Sequence, residues 1–200
     1  MNKLAILGGT FDPFHSGHLE IARAAVASGE AGTVMIVPAK VSPFKQGKEM
    51  ASEEDRYNMA KLAAEEVPGV SVSKIEMEME GVSYTFRTLE ALNERSPEEE
   101  LCLIVGTDQF LALEEWYKGT DILSHYPVMV AVRPSEDEAE LDRKIAAYGE
   151  TYGTSVTKLG NKRIDVSSTM IKEKLARGES ITGLVPAGVE AYIYEHGLYR

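Results

Sequence analysis

The chain has 200 residues, of which 44% are hydrophobic and 26% charged, and its formal net charge is −11. This size and composition indicate a globular protein that can bury a core without covalent cross-links. The acidic balance argues against a nucleic-acid partner, because phosphate backbones require a basic face. It still permits a small phosphorylated ligand where a few cations converge.

Cysteine content and hydropathy exclude further classes of protein. Cys102 is the only cysteine, which excludes an internal disulfide and a cysteine-based zinc site. It lies in the apolar run LCLIV, where we expect a small buried hydrophobe. No segment is long and apolar enough to cross a membrane, and the N-terminal apolar run is too short for a signal peptide. We therefore expect a cytoplasmic protein without a membrane partner.

The first part of the chain predicts a βαβ unit. A buried strand is predicted over 3–7, an amphipathic helix over 17–28 and a second buried strand over 33–37. Glycines follow the first strand and the helix, and a proline stops the second strand. The right-handed crossover expected for such a unit makes the two strands parallel.

The alternation of strands and helices continues to the end of the chain. Helices are predicted over 52–66, 84–94, 136–149, 168–177 and 188–195, and strands over 70–75, 101–105 and 127–132. Ser52 is a predicted N-cap, as is either Ser167 or Ser168, and the acidic helix over 136–149 is expected to be exposed. The pattern predicts one α/β domain over 1–200 with a doubly wound parallel sheet, whose ligands bind beyond the carboxyl ends of the strands.

The run GGTFDPFHSGH, Gly8–His18, directly follows the first predicted strand. Its glycines let a ligand approach backbone N–H groups, and the helix that begins next to them favours phosphate. His15 and His18 are spaced to lie on one side of the first helical turn, where imidazoles can donate hydrogen bonds to phosphate oxygens. Taken alone, two such histidines are more often structural. The fingerprint G-x-G-x-x-G is absent, which disfavours a nicotinamide-dependent dehydrogenase.

The complete run resembles the signature of the nucleotidylyltransferase superfamily, a glycine-rich turn followed by H-x-G-H. The resemblance implies a Rossmann-like fold, with His15 and His18 as the catalytic residues on the ATP triphosphate and Thr10 at the α-phosphate. It assigns these ATP-binding residues: Gly8, Gly9, Thr10, Phe11, His15 and His18. We interpret Asp12 as a turn residue that helps to position the acceptor substrate.

The segment IDVSSTMIKEKL (164–175) begins a helix with three hydroxyl residues, Ser167, Ser168 and Thr169. Alone, they would indicate only an N-cap. The segment resembles the superfamily's second motif, I-S-S-T-x-I-R, which implies that these residues grip the outer phosphates and that the part from about 165 to 200 completes the ATP site. Lys172 replaces the usual arginine and keeps the charge without the bidentate fork. Lys174 or Arg177 are candidates to compensate.

The middle of the chain carries the resemblance to one branch, nicotinate-nucleotide adenylyltransferase. In PAKVSPFK (38–45), Lys45 matches a lysine that contacts substrate phosphate, whereas we interpret Lys40 and Lys48 as parts of a mobile basic surface loop. Arg56 matches an arginine of that family, and an exposed helix position is the alternative. VSYTFRTL (82–89) resembles S-Y-T-x-x-T-L, which implies contacts of Tyr84 and Thr85 with the nicotinate ring and carboxylate.

The segment GTDQFLALEEWYKGTDIL (106–123) resembles the pattern G-x-D-x-x-x-x-L-x-x-W of the same branch. The resemblance implies that Gly106 and Asp108 belong to the ATP site, where Asp108 can accept a hydrogen bond from a ribose hydroxyl. It implies that Trp116 stacks on the pyridinium ring of nicotinate mononucleotide. Without the resemblance, a core tryptophan would be the better interpretation. The ending VPAGVEAYIYEHGLY (185–199) is also similar to this branch.

The implied activity is adenylyl transfer from ATP to nicotinate mononucleotide, which gives nicotinate adenine dinucleotide and pyrophosphate in NAD biosynthesis. Mg²⁺ is expected to bind through the ATP phosphates, without a metal site made by the protein. The alternatives are nicotinamide mononucleotide or phosphopantetheine as acceptor, and a nucleotide-sensing protein of the same fold. The sequence leaves open the acceptor preference and whether the chain forms a homo-oligomer.

Overall fold

The computed structural model describes residues 3–41, 50–132 and 138–200. The strands in these ranges are β1 Lys3–Gly9, β2 Thr33–Pro38, β3 Val70–Val72, β4 Glu100–Gly106, β5 Val128–Ala131 and β6 Val156–Leu159. The helices are α1 Ser16–Ala27, α2 Glu53–Ala64, α3 Ile75–Glu78, α4 Thr85–Arg95, α5 Thr107–Leu111, α6 Gly119–His125, α7 Glu138–Tyr152, α8 Ser168–Ala176 and α9 Ala187–Glu195. None of the helices in these ranges has the length and hydropathy needed to cross a bilayer.

The six strands form one parallel sheet in the order β3-β2-β1-β4-β5-β6. β1 therefore lies at the centre, paired with β2 on one side and β4 on the other. The chain order reverses between β1 and β4, and ligands of doubly wound sheets bind beyond the carboxyl ends of the strands at such a point. The predicted fold class is confirmed, and the sheet brings Gly8 and Gly106 to the same edge.

The core consists of two layers, one on each face of the sheet. Successive residues of β1 alternate between them: Ala5 and Leu7 pack in one layer, and Leu4 and Ile6 in the other. Strands covered on both faces carry continuous apolar runs, which is why the central strands were readable from sequence. Cys102 is buried, and burial raises the pKa of its thiol to about 12, which confirms the structural interpretation of this residue.

Several predicted boundaries require correction. Strand β3 ends at Val72, and α3 begins at Ile75, where a longer strand is predicted. The short elements α5, α6 and β6 have no predicted counterpart, because their own sequences carry too few residues for a periodic signal. Helix α7 is not wholly solvated, since it buries Leu141 and Tyr148. The Ser52 cap of α2 is confirmed by its bond to the Asp55 amide, at 3.1 Å.

Candidate active site

The loop that follows β1 is shaped by its two glycines and by Phe11. Gly8 is exposed, and a Cβ placed there would meet no atom within 4 Å, so the backbone has open space on its outer side. A Cβ on Gly9 would lie 2.8 Å from the Phe11 ring, so the close packing requires glycine. Phe11 itself is buried with φ at +51°, in the left-handed region. The backbone of the loop is therefore accessible at Gly8, and the Phe11 ring packs against the loop at Gly9.

His15 and His18 cap the beginning of α1 reciprocally. The amide of His18 donates to His15 Nδ1 at 3.4 Å, and the amide of His15 donates to His18 Nδ1 at 3.2 Å. The two rings stack with their centroids 3.5 Å apart and 17° between their planes. The side-by-side placement that the spacing predicts is therefore present. The arrangement is a capping box in which imidazoles replace the usual hydroxyl and carboxylate.

This capping determines which ring nitrogen of each histidine carries the proton. A ring nitrogen that accepts a hydrogen bond carries no proton, so a neutral imidazole capped at Nδ1 carries its proton on Nε2. Phe11 contacts the His18 ring edge-on at 4.9 Å, and Phe14 lies 5.2 Å from it. A Cβ on Gly17 would lie 3.1 Å from His15 Nδ1, so the glycine leaves just enough room for the ring. Two oriented Nε2–H donors result, held by backbone and aromatic packing.

Asp12 lies beneath this loop with only 1% of its surface exposed. Its Oδ1 accepts from the Ala51 amide at 3.1 Å and from the Tyr199 hydroxyl at 2.7 Å, and its Oδ2 pairs with the Lys172 ammonium. Both oxygens are thus engaged by the protein. We refer to Asp12, Arg56, Lys172 and Tyr199 as the Asp12 cluster.

Arg56 is a member of the Asp12 cluster because its charge lies near the Asp12 carboxylate. Its hydrogen bonds hold the loop that follows β1. Its guanidinium donates to the carbonyls of Thr10 at 2.9 Å and Ala39 at 2.6 Å, and more weakly to those of Ala51 and Lys40. Burial lowers the pKa of Arg56, whereas the nearby carboxylate of Asp12 raises it. The alternative of an exposed helix position is wrong, since Arg56 is fully buried. The residue joins the ends of β1 and β2.

The second signature places α8 against the same loop. Ser167 is the N-cap, accepting from the Met170 amide at 3.1 Å, and the Ser168 hydroxyl donates to the Pro13 carbonyl at 3.1 Å. Thr169 is exposed. Lys172 lies half-exposed on the second turn of the helix, beside Asp12. The signature run and α8 are therefore in direct contact.

The two candidates to compensate for the missing arginine lie elsewhere. Lys174 and Arg177 both pair with Glu179, at 2.9 and 2.6 Å, beyond the carboxyl end of α8. They lie six and nine residues after Ser168, which is about 9 and 14 Å along the helix from its N-terminus. The geometry therefore leaves Lys172 as the cation of this motif.

Of the residues predicted to bind the second substrate, Tyr84 and Thr85 lie at the start of α4 and Trp116 lies beyond the end of β4. Tyr84 is half-buried immediately before α4, and Thr85 is the first residue of that helix. The Tyr84 ring packs on Tyr117, with centroids 4.6 Å apart. Trp116, half-buried, packs partly against the core. Tyr117 is 48% exposed and was missed by the sequence analysis, although it directly follows the tryptophan of the matched pattern.

The end of β4 carries the remaining predicted ATP residues. Gly106 is the N-cap of α5, and a Cβ there would meet no atom within 4 Å. Asp108, in the first turn of α5, is exposed. Both residues lie beyond the strand that neighbours β1, on the edge where the histidine loop lies. Their predicted contact with ribose remains a prediction.

The residues that follow β2 are bound to the segment around helix α3. The Lys40 ammonium donates to the carbonyls of Met77 and Met79, at 3.1 and 2.9 Å, so its interpretation as a mobile surface residue is wrong. The Ser83 hydroxyl accepts from the amides of Lys40 and Val41. Segment 38–41 is thus bound to the segment that carries Tyr84. Lys45 and Lys48 lie outside the described residues.

A buried carboxyl lies behind this anchor. Glu76 Oε1 accepts from the Thr88 hydroxyl at 2.6 Å, and Glu76 Oε2 is buried without a hydrogen-bond partner among the described residues. Burial raises the pKa of Glu76, and the nearby hydroxyls of Ser83 and Thr88 oppose that rise. Within the described ranges, no group of three or more His, Cys, Asp or Glu side chains is arranged to hold a metal ion.

Comparison with known proteins places the chain in a family. Residues 6–174 match the family described as cytidylyltransferase-like, and the chain belongs to that class of nucleotidyltransferases. It is 34% identical to the probable nicotinate-nucleotide adenylyltransferase of Lachnoclostridium phytofermentans over 199 residues, which cover 100% of both chains. It is 39% identical to that of Roseiflexus sp., with 98% of each chain covered. Within the class, this chain is therefore a member of the nicotinate-nucleotide adenylyltransferase family.

Solved structures agree on the fold. The Plasmodium falciparum nicotinic acid mononucleotide adenylyltransferase complexed with NaAD superposes with a TM-score of 0.80 at 16% sequence identity. The match covers 100% of this chain and 98% of that one. At this identity the likeness shows the architecture alone, including the parallel sheet that carries the site.

Proposed function

We propose that this chain transfers the adenylyl group of ATP to nicotinate mononucleotide, forming nicotinate adenine dinucleotide and pyrophosphate in NAD biosynthesis. The observation that carries the proposal is the reciprocal capping of His15 and His18, which orients two Nε2–H donors beside an open glycine loop. The names of the relatives with 34–39% identity support the same reaction. Because ATP is an intracellular nucleotide, we place the activity in the cytoplasm.

The proposed step is an in-line displacement at phosphorus. An oxygen of the acceptor phosphate attacks the α-phosphorus of ATP, a new P–O bond forms, and the bond to the bridging oxygen of pyrophosphate breaks. The acceptor is already an anion, so no side chain needs to act as nucleophile. The protein contributes position and charge stabilisation.

The histidine loop and α8 supply the groups that stabilise the charge. The Nε2–H groups of His18 and His15 would donate to oxygens of the triphosphate as charge shifts toward the leaving pyrophosphate. The exposed Gly8 backbone, Thr10 and the hydroxyls at the start of α8 would contact the same chain of phosphates. Lys172 would add a point charge at the outer phosphates.

Mg²⁺ fits this site as a companion of the nucleotide. Both oxygens of the buried Asp12 are engaged by protein donors, so this carboxylate is already occupied. The ATP phosphates and water would therefore hold the ion, which neutralises phosphate charge when bound.

The second substrate would lie beside the aromatic rings at the start of α4 and beyond β4. The contact between Tyr84 and Tyr117 joins the residue before α4 to the segment after β4, next to Trp116. Electron-rich faces of this kind attract a cationic pyridinium ring. Thr85 and the amides at the start of α4 are suited to its carboxylate. We propose nicotinate mononucleotide as the acceptor on these grounds.

A panel assay tests the reaction and the acceptor together. Pyrophosphate release from ATP is measured with nicotinate mononucleotide, nicotinamide mononucleotide and phosphopantetheine, and the dinucleotide products are identified. We expect the first acceptor to be used best. Preference for another acceptor would contradict the assignment, and ATP binding without pyrophosphate release would support a sensor.

A histidine variant tests the roles within the site. His18→Ala should lower kcat by about 10²–10³, the usual effect of losing one donor to developing charge. His125→Ala is the matched control, because that histidine lies exposed at the end of α6. Near-normal turnover by His18→Ala would show that the histidine has no such role.

A further inference from the structure

Tyr199, in the segment that follows α9, reaches the buried Asp12 beneath the histidine loop. Its hydroxyl donates to Asp12 Oδ1 at 2.7 Å, across 187 positions of sequence. Its backbone has φ at +63°, in the left-handed region, which non-glycine residues adopt at a cost. A conformation of this kind persists where other contacts hold it, and the bond to a buried carboxylate is such a contact.

The ring of Tyr199 has a second partner in Lys172. The Lys172 ammonium lies 4.9 Å from the centroid of the ring while it pairs with Asp12 Oδ2. One tyrosine therefore contacts both members of the ion pair, the anion through its hydroxyl and the cation through its face. Burial and the neighbouring Asp12 carboxylate both raise the pKa of Tyr199, so the hydroxyl keeps the proton that it donates.

We propose that Tyr199 is a positioning residue of the ATP site, which holds the Asp12–Lys172 pair so that the ammonium stays at the phosphate-binding face of α8. The inference rests on the proposed function, because it assumes that Lys172 meets ATP. A lysine is a flexible point charge without the planar fork of arginine, so it loses more freedom when it binds phosphate. The carboxylate and the ring restrict the ammonium beforehand, and they lower that entropic cost.

The test compares two tyrosines that donate to aspartates. Tyr199→Phe removes the hydroxyl and keeps the ring. Tyr192→Phe is the matched control, because the Tyr192 hydroxyl also donates to an aspartate, Asp55, at 2.9 Å, outside both signatures. For each protein, the Kd for Mg-ATP is measured by calorimetry, and kcat and both KM values are measured in the coupled assay, with thermal unfolding as the check on folding.

We expect Tyr199→Phe to weaken ATP binding about tenfold, the lower end expected for a hydrogen bond to a charged group, with little change in the KM for nicotinate mononucleotide. Tyr192→Phe should leave the Kd for ATP unchanged. If Tyr199→Phe binds ATP like the wild type, or if both variants lose affinity equally, Tyr199 has only a structural role and the proposal is overturned.

Combining Tyr199→Phe with substitutions of Lys172 shows whether Tyr199 acts through Lys172. In a chain that carries Lys172→Met, adding Tyr199→Phe should cause no further loss of ATP affinity, because the group that the hydroxyl positions is gone. In Lys172→Arg its effect should shrink, because the guanidinium fork orients itself on phosphate. Equal effects of Tyr199→Phe in all three backgrounds would refute the mechanism. A wild-type chain that binds ATP and forms no dinucleotide would contradict the proposed function alone, and one that binds no ATP would overturn both.

Discussion

Gly17 offers a test in which stability and activity should separate. It is the second residue of α1, between the two histidines, and a Cβ there would lie 3.1 Å from His15 Nδ1 and 3.2 Å from both His15 Cε1 and Val166 Cγ1. These distances are a few tenths of an ångström below ordinary van der Waals contact. Val166 belongs to the second signature segment, 164–175, so the His15 ring is the group expected to move in Gly17→Ala.

The expected changes in the free energy of unfolding and in kcat follow from two opposing effects of the added methyl group. Alanine in place of a helical glycine stabilises by up to about 1 kcal/mol, so the free energy of unfolding should stay equal or rise. A displacement of 1 Å at a reacting group can lower the rate about 10²-fold, so a shift of a few tenths should lower kcat about threefold to tenfold. The variant should therefore be as stable as the wild type and a poorer enzyme.

The assay measures kcat for pyrophosphate release at saturating substrates, together with denaturant unfolding. Gly188→Ala is the matched control, because Gly188 is also the second residue of a helix, α9, and its Cβ would meet Leu62 Cβ at an ordinary 3.4 Å. It should gain stability without losing activity. If Gly17→Ala keeps the full kcat, the position of the His15 ring does not limit turnover, and the reasoning fails.

Two further predictions concern the buried charges behind the loop. Arg56→Met should lower the free energy of unfolding by about 3–5 kcal/mol, measured by denaturant titration, because it leaves the carbonyls of Thr10 and Ala39 without their donor. Glu76→Gln should be more stable than the wild type at neutral pH by about 1–2 kcal/mol, since ionised Glu76 has a buried oxygen for which the described part of the chain supplies no hydrogen-bond partner. Burial raises the pKa of Glu76 above its ordinary 4.5, so the wild type loses stability as the pH rises from there through the folded value, and the variant does not.

A specific result would contradict each of the predictions for Arg56→Met and Glu76→Gln. An Arg56→Met protein that unfolds within about 1 kcal/mol of the wild type would show that water or other donors satisfy the carbonyls. A stability difference between Glu76→Gln and the wild type that stays constant from pH 4 to 8, or shrinks as the pH rises, would show that this carboxyl does not titrate as its burial requires. The other acidic residues titrate in both proteins and cancel in the comparison.

The outline of the fold was accessible from sequence because its strong elements are locally encoded. The central strands β1, β2 and β4 are buried on both faces and therefore carry uninterrupted apolar runs. The start of helix α2 was predictable because serine is a favourable N-cap residue, and Ser52 does cap this helix. The elements α3, α5, α6 and β6 depend on packing against the rest of the chain, so their few residues carry no readable period.

The candidate site could be proposed from the sequence because its two motifs are short and contiguous. The spacing of His15 and His18 places two imidazoles on one helical turn, and the complete runs Gly8–His18 and 164–175 resemble known motifs, although the histidines and hydroxyls taken alone indicate only structural roles. Such features are local, so a motif within a dozen residues is enough to read them.

The groups that support the site come from distant parts of the chain, and only folding brings them together. The bond from Tyr199 to Asp12 joins residues 187 positions apart, and the burial of Arg56 depends on carbonyls from the ends of two strands. Lys172 resembled in sequence a weaker substitute for arginine, whereas in the fold it is the half-exposed partner of the buried Asp12 carboxylate. Contacts across such separations leave no periodic or spacing signal, because they exist only once the parallel sheet has brought the ends of its strands to one edge.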